Sequence, residues 1–179
     1  NILKKFNSLK KMILLLLTLL SIAILLGCTQ KEEMKEEAKE EGKELKVWRV
    51  PNIDNGAEFY FSPDGQSMIG NAKFGDDSAH FVYTFNIDGT DIKQINDIGQ
   101  DACSYYFPDG KKLNWTSTRD NTDLPKGDWS DARDYPTGAE LYTSDLDGGN
   151  VVRLTNNKYY DAEVSVSPDG KKILFTRAI

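Results

Sequence analysis

"AEFYFSPDGQSMIGNA" (57–72) places a proline corner between two stretches of alternating apolar residues. The frame returns as "ACSYYFPDGKKLNWTS" (102–117) and "AEVSVSPDGKKILFTR" (162–177). Ala57, Ala102 and Ala162 fall together. Before the corner the matching positions are Phe59/Phe61, Ser104/Tyr106 and Val164/Val166. After it they are Met68/Gly70, Leu113/Trp115 and Ile173/Phe175. Period two on both sides of a turn predicts a hairpin with one buried face. Proline presets φ at the second position of a type I turn. Serine before it can bond the backbone two residues on, and glycine closes the turn where φ is positive. Phe107 stands where the other copies have Ser62 and Ser167, so the middle corner is expected to lose one local bond and to hold by packing.

A second element repeats downstream. "FVYTFNIDGTDIKQIN" (81–96) aligns with "ELYTSDLDGGNVVRLT" (140–155), pairing Val82/Leu141, Tyr83/Tyr142, Thr84/Thr143, Ile87/Leu146, Asp88/Asp147, Gly89/Gly148 and Ile95/Leu154. Each reads as strand, DG turn, strand. One unit is then a four-stranded antiparallel meander. Pro63 and Pro108 lie 45 residues apart, the span of one propeller blade.

"SPDGKKILFTR" and "LYTSDLDGGNVVRLT" together resemble the repeat of TolB-like, WD40-like β-propellers of bacterial envelopes, and the resemblance covers 57–179. It implies an all-β fold over 47–179, with blades at about 57–96, 101–155 and, half complete, 161–179. It also implies that strands of the "AEVSV" type line a central channel, with the alanine at the crowded end of each wedge. Two and a half blades cannot close a ring, so the sequence is expected to be the N-terminal part of a longer protein. "LKVWRVPNID" (45–54) reads as an outer strand of a last blade, or as the remnant of a degenerate first one.

The middle unit is longer. Asp88 and Asp147 lie 59 residues apart, which is 14 more than the first step. The excess falls in "TSTRDNTDLPKGDWSDARDYPTGA" (116–139). Long insertions on a regular scaffold often carry function. The candidate binding residues are therefore Arg119, Asp120, Asp123, Asp128, Trp129, Asp131, Arg133, Asp134 and Tyr135. Three readings stand: a solvated cap of Arg–Asp pairs, a ligand or partner surface, and a calcium site. The last lacks the usual D-x-[DN]-x-[DN]-G spacing. His80 and Cys103 invite a base–nucleophile pair, but their positions read as a strand-end histidine and a small buried thiol. No G-x-S-x-G, H-E-x-x-H or P-loop pattern occurs. No catalytic, metal or cofactor residue is assigned.

The first 28 residues carry Lys4, Lys5, Lys10 and Lys11, then an uncharged apolar run from Met12 to Leu26. This is a secretory signal pattern, predicted to be helical. It is short for a bilayer span. "LLGC" (25–28) resembles the bacterial lipobox, which implies lipidation of Cys28, with Leu26 a less usual residue two before the cysteine. Thr29 in place of Asp implies the outer membrane if the host is Gram-negative. Residues 29–46 are a Lys/Glu tether with almost nothing apolar to bury. Beyond residue 27 the chain carries 18 basic against 28 acidic residues. That balance argues against nucleic acid or an anionic lipid surface as partner. The expectation is an envelope-anchored, periplasm-facing, non-catalytic propeller that binds a protein. The alternative is the N-terminal propeller of a larger envelope enzyme, such as a propeller-bearing serine peptidase, or a carbohydrate- or metal-binding propeller.

Overall fold

The computed structural model describes residues 46–179. The signal and lipobox expected at 1–28 and the tether at 29–46 lie outside the described residues, Lys46 excepted. The chain divides into two units, Asn1–Trp48 and Arg49–Ile179, and the second holds every element that follows.

No helix occurs among the described residues; there are ten strands. β1 (Gly56–Phe61), β2 (Ser67–Ala72), β3 (Phe81–Asn86) and β4 (Lys93–Gln94) form one sheet in chain order. β5 (Asp101–Tyr106), β6 (Lys112–Ser117), β7 (Glu140–Asp145) and β8 (Val152–Arg153) form a second in the same order. β9 (Tyr160–Val166) and β10 (Ile173–Ala178) make a third, two-stranded sheet. Every pairing within a sheet is antiparallel. The two full repeats are thus four-stranded meanders, as their spacing predicts. Residues 46–55 form no strand. Even so, the Pro51 carbonyl lies against Gly89 as the Ile95 carbonyl lies against Gly148, so close that a Cβ on either glycine would overlap it. The segment before β1 therefore seats on the first DG turn as the end of the first sheet seats on the second.

The three corners share one geometry. Gly65, Gly110 and Gly170 have φ of 69°, 67° and 69°. Each glycine N–H donates to the carbonyl three residues back, at 2.9, 2.9 and 2.8 Å. The serine acts differently from the sequence expectation. Its hydroxyl donates to the corner aspartate at 2.6 Å in both Ser62–Asp64 and Ser167–Asp169. The same oxygen accepts the N–H five residues on, from Ser67 and Lys172, at 2.9 Å each. With Phe107 in place the middle corner loses two bonds rather than one, and keeps Lys111 N–H to Asp109 Oδ1 at 3.0 Å.

Alternation survives only where a sheet has a free face. β6 is buried at every position from Leu113 to Ser117, because the second sheet packs between β1–β3 on one side and β9 on the other. Residues beside the expected face, such as Ile69 and Asn114, are as buried as Trp115. One core fills the first joint with Ile69, Val82, Ile95, Tyr106, Leu113, Trp115 and Tyr142. Another, around Leu141, Tyr160, Ala162 and Val164, fills the second. Each large side chain so buried contributes about 1.5–3 kcal/mol.

Candidate functional site

The first strand of each sheet, in chain order, carries the same irregularity. Two residues oppose one: Glu58–Phe59 against Gly70, Cys103–Ser104 against Trp115, and Glu163–Val164 against Phe175. The first residue of each bulge is left-handed, with φ of 56°, 45° and 55° for Glu58, Cys103 and Glu163. Non-glycine residues resist this conformation by about 1–2 kcal/mol each, so packing must hold it three times over. The bulge bends the strand and re-aims the side chain. The repeated bend gathers two carboxylates and a thiol, their nearest atoms all within 4.8 Å of one another.

Their acceptors are already committed. Cys103 N–H donates to Glu58 Oε2 at 2.8 Å, and its thiol faces Oε1 at 3.5 Å. With its amide oriented to satisfy both ends, Asn71 donates to Glu58 Oε2 at 3.1 Å. Tyr160 donates to Glu163 Oε1 at 3.4 Å. The group is a hydrogen-bonded knot across three sheets, not an open ligand set. Burial, then the Glu58 carboxylate, pushes the Cys103 thiol well above its ordinary value. A thiol held protonated in this way is a weak nucleophile. His80 meets Asn55 Oδ1 at 3.1 Å instead of the thiol. Burial, then Cys103 and Glu163, pushes the Tyr160 phenol up as well.

The knot forms the floor of a cavity of about 470 Å³, which Asp128 and Trp129 of the insertion also line. The insertion is ordered by its own bonds and by the sheets beneath it. Asp128 N–H donates to the Asp134 carbonyl at 2.6 Å, closing the loop on itself. Asp128 Oδ1 accepts from the Ser130 hydroxyl at 2.6 Å, and Arg133 forks onto Asp131 at 2.9 and 2.7 Å. Trp129 Nε1 donates to Gln100 at 2.9 Å, and Tyr135 stacks on Tyr160 at 4.2 Å between ring centroids. Asp120 accepts from the Tyr142 hydroxyl at 3.1 Å, and the Arg119 guanidinium lies over the Trp115 ring. Asp123 is exposed. Of the nine residues singled out in the loop, then, only Asp128 and Trp129 reach the cavity; the rest order the loop or face solvent. The residues missed by sequence reasoning are Glu58 and Glu163. The signal for them was the position directly after each aligned alanine.

No protein-family model and no curated protein matches the sequence. Solved structures do. A TolB protein from Agrobacterium tumefaciens superposes with a TM-score of 0.57 at 21% identity, over 72% of this chain and 40% of that one. The fold is a TolB-like β-propeller. A chain of a nidogen/laminin complex matches with a TM-score of 0.53 at 15% identity, over 76% of this chain and 46% of that one. The tricorn protease matches with a TM-score of 0.51 at 11% identity, over 72% of this chain and 11% of that one. The chain thus spans less than half the length of each. Each sheet takes the place of a propeller blade, and each bulge stands on the first strand of its sheet.

Proposed function

We propose that the chain is an envelope-anchored scaffold whose propeller binds a protein partner at the mouth of the central cavity. In this reading residues 1–28 direct export and leave Cys28 to carry lipid. Residues 29–46 space the domain from the membrane, and residues 47–179 form the partial propeller. The observation that carries it is the loop at 118–139, within the insertion at 116–139. It is pinned to Gln100, Tyr142 and Tyr160, and holds Trp129 half-buried at the cavity rim. A loop ordered at that rim presents a surface at little further entropic cost on binding. Support comes from the TolB-like fold, by analogy of architecture, and from the propeller match found in a nidogen/laminin complex.

The test is in-cell cross-linking with a photoreactive residue at Arg133, whose side chain is 89% exposed, in the intact protein. A discrete adduct that Trp129→Ala and Asp128→Ala weaken is expected, while the same probe at Lys171 yields none. Equal labelling at both positions would refute the docking site. Cys28→Ala should release the protein from the membrane fraction and abolish acyl labelling.

A further inference from the structure

The joint between the first two blades turns on one buried carboxyl. Asp101 opens β5 at 1% exposure. Its N–H donates to the His80 carbonyl at 2.9 Å, and its Oδ2 accepts Val82 N–H at 3.0 Å. One residue therefore closes two bonds onto the beginning of β3 in the neighbouring blade. Asn96 Nδ2 donates to Oδ1 at 2.8 Å and to Oδ2 at 3.0 Å, and the Ser117 hydroxyl also reaches the carboxyl. Val82 and Asn96 are uncharged donors, and the Ser117 hydroxyl, which accepts as well as donates, can take the proton of the neutral acid. Asp161 holds the matching place on β9, and its N–H donates to the Ala139 carbonyl at 2.9 Å. There the carboxylate is forked by Arg177 at 2.7 and 2.8 Å. Leu141 N–H, the counterpart of Val82, goes instead to Thr155 Oγ1 at 3.0 Å. One joint has a cation; the other has a buried acid with no ion pair among the described residues.

We propose that Asp101 makes the joint between the first two blades pH-responsive, closed while its carboxyl is neutral and loosened once it ionises. A carboxylate out of water without a counter-charge is strongly disfavoured. Burial pushes Asp101 up to about 7, against the opposing pull of Ser117, Val82, Asn96 and the more distant Arg119. Opening hydrates the group and returns it to about 3.9. Between those values the closed joint holds more protons than the open one, so rising pH favours opening. Of the other titratable and charged groups, Arg119 faces the joint from beyond β6, and Glu58, His80, Cys103, Asp128, Tyr160 and Glu163 surround the adjoining cavity, which Asp101 also lines.

The experiment is amide hydrogen exchange at Val82 in the intact protein between pH 5.5 and 8, corrected for intrinsic rates. Opening should increase roughly thirty-fold across that range. The rise should vanish in Asp101→Asn and persist in His80→Asn. In parallel, the wild-type Asp101 side-chain carbon shift should titrate near neutrality. A rise that survives Asp101→Asn, or one that His80→Asn removes, overturns the proposal. So does a carboxyl already ionised at pH 5.5, and that reading stands even if the asparagine variant does not fold.

Discussion

Around Gly70 of β2 in the first blade the bulk sits on the neighbouring strands: Phe59 opposite it on β1, Tyr83 opposite it on β3, and Phe85 two residues along β3. At the matching position of the second blade the middle strand carries the bulk: Trp115 on β6, with Ser104 on β5, Tyr142 opposite it on β7 and Ser144 two residues along β7. In the first, Phe59 and Phe85 meet edge to face at 5.4 Å, and a Cβ on Gly70 would lie 2.2 Å from the Phe59 ring. In the second, Trp115 stacks on Tyr142 at 5.0 Å and its indole N–H donates to Ser144 Oγ at 3.1 Å. Adjacent blades keep the volume of the layer and redistribute it among strands. The repeat therefore conserves a backbone and a filled space more than it conserves side chains.

The sharpest way to break this comparison is Trp115→Ala. Trp115 is fully buried, and Ser104 and Ser144 beside it offer no bulk to fill the hole, which leaves the stacked Tyr142 ring facing it. A loss of about 3–5 kcal/mol is expected from denaturant unfolding of the intact protein. Phe59→Ala in the first blade should lose less, because that ring is only half-buried. Equal losses would show that the two layers do not differ in the way their packing implies.

Gly70→Ala tests the other half. The added methyl has nowhere to go while Phe59 is present, and overpacking of this kind costs about 1–3 kcal/mol. In the background of Phe59→Ser, which copies the second blade's arrangement, most of that penalty should disappear. The two changes would then be strongly non-additive. Simple additivity in a double-mutant cycle would separate Gly70 from Phe59 and undo the exchange-of-volume account.

The two blade joints are predicted to respond to pH in opposite directions. Burial alone would raise the Asp161 carboxyl, but Arg177, Asn157 and Thr155 more than reverse it, leaving it below its ordinary value. Its contribution is present above about pH 3.9 and is lost as pH falls through the lower folded value. The raised Asp101 does the reverse, and its contribution declines as pH climbs from about 4 to about 7. The Arg177 side chain is 40% exposed, so solvent screens the pair and keeps the acid limb shallow. Urea midpoints across pH 2.5–8 should show Asp161→Asn flattening the acid limb only. A variant that flattened the neutral limb instead would interchange the two roles.

Much of this fold could be read from the chain because turn chemistry is local. Pro63, Pro108 and Pro168, with Asp88 and Asp147, mark where strands reverse, and their spacing counts strands per blade. The bulges could not be read. A left-handed Glu58, Cys103 or Glu163 contradicts local preference and is imposed by packing between sheets distant in sequence. That is why the cavity floor was missed while its rim was noticed. Trp129 and the insertion stand out as an interruption of the period, whereas Glu58 and Glu163 sit within the period. The burial of both faces of β6 was likewise hidden, since one hairpin carries no sign of what lies on either side of it.

The smallest expected effect lies at the corners. Ser62 and Ser167 each donate to the corner aspartate and accept an N–H five residues on. Those serine bonds come first among the causes that hold Asp64 and Asp169 below the ordinary carboxylate range. The middle corner has neither bond yet keeps its glycine φ and its closing hydrogen bond. Backbone geometry at these turns is therefore set by proline, glycine and the flanking strands, and the serine adds to it. Ser62→Ala should then destabilise by about 0.5 kcal/mol, at the low end of a net hydrogen bond. Phe107→Ser should gain about as much if the ring it removes contributes little packing. Thermal unfolding of the two variants side by side measures both. A loss at Ser62 as large as that of Gly70→Ala would mean that the serine builds the corner, and the middle blade would then need some other device to hold the same turn.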